Sequence, residues 1–110
     1  MYFRALALGL ILTIVCSDSY AAAASVQSTV KSVYPLSDGS FVIILTNDAS
    51  TCTATTPKYF FVTPGQNGMT VDGAKAMLAT ALAAFAIGST LALSFDDATT
   101  YCYVNRISMQ

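Results

Sequence analysis

Between residues 25 and 110, apolar and polar positions fall into strand-like runs broken once by a helical period. Ser25–Tyr34 carries Val26, Thr29, Val30 and Val33 and stops at Pro35, which predicts a first, somewhat irregular strand. Leu36-Ser37-Asp38-Gly39 predicts a turn, because Asp-Gly supplies the positive φ that hairpins prefer. Ser40–Thr46 is a continuous apolar run, suited to a central strand antiparallel to the first. Asn47–Lys58 is polar and Thr-rich and contains Pro57, so it reads as a loop with at most a strand edge. Tyr59–Thr63 is a third strand, and Pro64-Gly65-Gln66-Asn67-Gly68 is a loop.

The period then changes to that of a helix. Thr70 suits an N-cap and Asp72 suits the first turn, where a negative charge complements the helix dipole. Ala74, Met77, Leu78, Ala81, Leu82 and Phe85 recur at three- and four-residue spacing and predict the buried face of a helix over Val71–Ile87. Gly88 supplies the stop. Thr90–Phe95 alternates, with Leu91, Leu93 and Phe95 on one face. Asp96-Asp97-Ala98 turns the chain into a last strand, Tyr101–Met109. In that strand Cys102 and Val104 share one phase and Ile107 and Met109 the other, which calls for a bulge near Asn105-Arg106. The order strand, strand, strand, helix, strand, strand predicts a β-rich α+β domain. It is the order of a five-stranded OB-fold barrel, with the helix between the third and fourth strands; a generic α+β sandwich is the other arrangement this order allows.

The first 24 residues stand outside this pattern. Met1–Arg4 is a short positive start, Ala5–Val15 is apolar but short for a bilayer span, and Ala22-Ala23-Ala24 offers a small-x-small cleavage point before Ser25. Residues 1–24 therefore read as a secretory signal peptide and residues 25–110 as a single exported domain, secreted or periplasmic. Val15 before Cys16 is not the small residue that a lipid-attachment site wants. Cys16 leaves with the signal, so Cys52 and Cys102 remain as an even pair in an oxidising compartment, and a disulfide follows. In an OB-fold the third and fifth strands are neighbours, which brings these two cysteines within reach of each other. A domain of roughly 85 residues has a small core and gains much from such a staple.

Met77-Leu78-Ala79-Thr80-Ala81-Leu82 through Gly88, then Leu91-Ala92-Leu93-Ser94-Phe95, then Cys102, form a pattern that resembles small exported bacterial OB-fold proteins of the subtilase-cytotoxin binding-subunit kind. The resemblance covers the last forty residues or so. It implies a non-enzymatic B-subunit, a homo-oligomeric ring of five copies and glycan binding at a cell surface. No glycan-contacting residue carries over.

The remaining composition narrows the chemistry. The chain has no His and no Glu, so Ser-His and Cys-His pairs are absent and only aspartates supply carboxylates after export. Asp96-Asp97 is the one adjacent pair and reads as a turn. Neither a catalytic nor a metal site is expected, and no cofactor. Lys31, Lys58, Lys75 and Arg106 form no basic patch, which argues against nucleic acid. No apolar stretch in the mature chain is long enough to embed it in a membrane. Tyr34, Tyr59, Tyr101 and Tyr103 cluster at strand ends, where an aromatic face can stack on a sugar or anchor an interface. Tyr34, Asp38 and Ser40, flanking the first turn, are the expected ligand contacts. Lys75, Ala79 and Ala83, on the alanine-rich side of the helix, are the expected oligomer face. The sequence thus points to an exported binding module for a glycan. A periplasmic structural or inhibitory protein with a protein partner is the alternative.

Overall fold

The computed structural model describes residues 23–47, 51–54 and 57–110. Five strands and one helix follow in the expected order: β1 (Ala23–Pro35), β2 (Phe41–Leu45), β3 (Phe60–Val62), α1 (Val71–Ile87), β4 (Thr90–Asp96) and β5 (Val104–Met109). All pairings are antiparallel, with sheet order β3-β2-β1-β4-β5. The result is an OB-fold-like barrel.

β1 is the strand on which the barrel turns. Its first part, Ala23–Thr29, pairs with β4, and its second part, Val30–Pro35, pairs with β2. The register slips between Val30 and Ser32, leaving Lys31 as the extra residue. That bulge flips the pleat: Ala24, Val26 and Val30 face the core before it, and Val33 faces it afterwards. The irregular spacing in the sequence is this bulge. β1 starts two residues before the expected mature start at Ser25, and Ala24 packs on the core. The expected signal otherwise lies outside the described residues.

The interior is filled by alternate residues. Phe41, Ile43 and Leu45 of β2, Phe60 and Val62 of β3, Leu91, Leu93 and Phe95 of β4 and Val104 of β5 form the core. Phe60 and Phe95 meet edge to face across it, with centroids 5.0 Å apart. All five residues of β2 are buried, as a central apolar strand requires.

The last strand is shorter than its sequence pattern. Tyr101–Tyr103 lie in the turn before β5, because Cys102 takes a left-handed φ of 45° and its N–H bonds to the Thr99 carbonyl. The expected bulge is present: Ser94 pairs with Arg106 and Phe95 with Val104, so Asn105 is the extra residue.

The helix begins and ends as its sequence requires. Thr70 Oγ1 accepts the Gly73 N–H at 2.9 Å, and Gly88 closes the C-terminus at φ 70°. Its buried face is narrower than the apolar spacing implies. Ala74, Ala81 and Ala84 are buried and Met77 and Leu78 half-buried, whereas Leu82 and Phe85 are exposed. Small residues let the helix approach a barrel already filled by phenylalanines, so the bulkier side chains stay outside. Among the described residues, no helix is long and apolar enough to cross a membrane.

Candidate functional site

The side chains that alternate away from the core on β2 and β3 build an aromatic surface. In the row Tyr34–Val42–Phe61 the three strands β1, β2 and β3 present one residue each to the outside. Val42 is buried between its two aromatic neighbours. Tyr34 also meets Tyr59 edge to face, with centroids 6.5 Å apart. β3 divides its aromatics by strict alternation, Phe60 inward and Phe61 outward.

The seam between β3 and the β4–β5 turn extends this surface. The Cys52–Cys102 disulfide holds the two segments together, with Cα atoms 5.8 Å apart. Phe61 donates its N–H to the Tyr101 carbonyl at 3.3 Å. Beside that bond the Phe61 and Tyr101 rings meet edge to face at 5.6 Å, and Tyr101 stacks on Tyr103 at 5.4 Å and 18°. The left-handed turn at Cys102 sets Tyr101 and Tyr103 side by side. Asn67 braces the turn from the other side, donating its amide to the Tyr103 carbonyl at 2.8 Å.

A pocket of about 400 Å³ opens where these pieces join. Tyr59, Phe61 and Tyr101 supply aromatic walls, and Thr53, Ala54, Pro57 and Thr100 complete it. Its volume lies in the range of small-ligand sites, which combine apolar faces with a few polar groups. OB-fold barrels bind oligosaccharides on the β2–β3 face with the β1–β2 and β4–β5 loops. This pocket shares β3 and the β4–β5 turn with that region and takes the rest of its wall from the segment between β2 and β3. The arrangement can take the apolar face of a flat ring against aromatic carbon while threonine and tyrosine hydroxyls exchange hydrogen bonds with it.

The expected ligand contacts divide. Tyr34 belongs to the aromatic surface, half exposed. Asp38 and Ser40 lie at the hairpin tip and bond to each other: the Asp38 carboxylate accepts from the Ser40 hydroxyl and from the Ser40 N–H at 3.0 Å. The hydroxyl first, then the backbone N–H, holds the Asp38 carboxyl below its ordinary value of 3.8. Lys75, Ala79 and Ala83 lie on the exposed side of α1. Val71, Leu82, Phe85 and Ile87 are also exposed on that helix, the last by 70%.

Asp96 and Asp97 act within their turn and its neighbour. Asp96 accepts the Ala98 N–H at 2.8 Å, and Asp97 accepts the Thr51 hydroxyl at 3.1 Å. Among the described residues no three His, Cys, Asp or Glu side chains converge to hold a metal ion.

Phe61, Thr53 and Pro57 were not singled out by the sequence pattern. For Phe61, two signals were present. The alternation of Tyr59-Phe60-Phe61 puts two aromatics on the outer face, and a Cys52–Cys102 bond places Tyr101 beside them.

No family model and no curated protein matches the chain. A solved structure does: the cholera toxin-like B-subunit from Citrobacter freundii superposes with a TM-score of 0.59, covering 78% of this chain and 86% of that one at 16% identity. The chain has the fold of a toxin B-subunit.

Proposed function

We propose that this protein is an exported, non-enzymatic binding module of the toxin B-subunit kind, which takes a glycan in the pocket walled by Tyr59, Phe61 and Tyr101. The aromatic pocket at the disulfide-closed seam is the observation that carries the reading. Ring-faced pockets suit sugars because C–H faces pack on aromatic carbon while the rim satisfies hydroxyls. The B-subunit fold and a buried disulfide both fit an exported protein.

A glycan array probed with the oxidised mature domain and with Tyr101→Ala tests it. Tyr101 is half exposed, and its bond to Phe61 uses the backbone carbonyl, so the variant keeps the seam. Binding by the parent that falls tenfold or more in the variant supports the reading. Binding that is absent, or unchanged by the substitution, rejects it.

We further propose a ring of five copies, and the helix surface supports it. Val71, Leu82, Phe85 and Ile87 leave an apolar helical surface uncovered, with the small side chains of Ala79 and Ala83 also exposed on that helix and permitting close approach. The same surface is what favours the alternative reading, a periplasmic protein that acts by docking a different protein. Native mass spectrometry separates the two: a pentamer supports the ring, and a monomer favours the alternative.

A further inference from the structure

We infer that the aromatic pocket selects uncharged sugar rings over sialylated or otherwise anionic ones. The inference rests on the glycan reading above and specifies its ligand class. Among the described residues, no Lys, Arg, Asp or Glu lines the pocket; the polar side chains that line it are Thr53, Thr100, Tyr59 and Tyr101. Lys58 lies in sequence between two lining residues but is not part of the wall.

That lining decides between ligands by desolvation. A carboxylate entering the pocket gives up water and gains no cation in return, which is costly. Arg is the side chain best matched to a carboxylate, because the paired N–H groups of its guanidinium face the two oxygens. A neutral sugar makes no such demand. Its hydroxyls both donate and accept, as threonine and tyrosine hydroxyls do. Its C–H face loses nothing by leaving water for an aromatic wall.

The barrel does carry a guanidinium in a groove, but in a different one. Arg106 borders a groove of about 170 Å³ over β1, β4 and β5, whose floor includes Ser25, Ser94 and Ser108. Ser25, Ser94 and Arg106 are consecutive cross-strand partners there. The two cavities share no lining residue. An anionic group therefore finds its natural partner away from Tyr59, Phe61 and Tyr101.

Isothermal titration of the oxidised domain with neutral oligosaccharides, each paired with its sialylated form, tests this. The same titrations are run on Tyr101→Ala and on Tyr101→Phe, which keeps the ring. The expected result is binding of the neutral member at least tenfold tighter, retained by Tyr101→Phe and lost in Tyr101→Ala. A sialylated member that binds as tightly or more tightly, and is lost in Tyr101→Ala, overturns the selectivity and leaves the site standing. No binding by either member, or binding indifferent to Tyr101→Ala, overturns both the selectivity and the site.

Discussion

Asp38 and Ser40 close on each other at the tip of the β1–β2 hairpin, and Gly39 beside them stands at φ 87°. A Cβ at Gly39 would meet only Pro64 Cγ, at 4.0 Å, so Gly39→Ala is opposed by backbone strain and not by crowding. The expected loss is about 1–2 kcal/mol of stability, read from urea unfolding. The carboxyl of Asp38 is held below 3.8, so its contribution is present above that value. It is lost as pH falls through the lower folded-state value, where both states bind the proton. Asp38→Asn removes this component. Unfolding midpoints compared between about pH 6 and about pH 2 should fall less in the variant than in the parent. An equal fall would show that the hairpin tip does not contribute to acid sensitivity.

At the scale of elements, the disulfide and the helix ends are the clearest cases. Cys52–Cys102 closes a loop with a sequence separation of 50, and the chain-entropy model makes that worth about 4 kcal/mol. Replacing both cysteines by serine should lower the unfolding free energy by about that amount, against a marginal total for so small a domain. The loss should also appear in the pocket, since the bond aligns Phe61 with Tyr101. Thr70→Ala removes the N-cap of α1 and should cost about 1 kcal/mol in the same assay.

The element order, the caps, the hairpin turn, the bulge at Asn105 and the cysteine pairing were all legible in the sequence. Each is governed by local chemistry or by counting. The buried face of α1 was not, because spacing shows which residues are apolar and not how close the barrel lets them come. Leu82 and Phe85 therefore sit outside, where periodicity put them in. The start of β5 was missed for a similar reason: nothing in Tyr101-Cys102-Tyr103 announces a left-handed cysteine. The tyrosines were visible as a group, but their convergence with Phe61 depends on long-range pairing through β2 and the disulfide.

For the whole molecule, a barrel with two working surfaces is the simplest account. On the proposed function, β3 and the β4–β5 turn hold the ligand, and α1 holds the neighbouring copies. Phe85→Asp tests the independence of these surfaces. Phe85 is 49% exposed, so the monomer should stay folded by circular dichroism while the assembly dissociates, and the melting temperature should lose only the share that assembly contributes. Loss of fold on this change would place Phe85 in the core and remove the helix from the account of assembly.

The central claim is that the aromatic pocket is the glycan site, and NMR titration of the oxidised domain tests it most directly. Aromatic and amide resonances are followed as a glycan identified on the array is added. The account predicts shifts concentrated on Tyr59, Phe61, Thr100 and Tyr101, with Arg106 and Ser108 silent. Shifts centred on the Arg106 groove, or spread without focus, would contradict it.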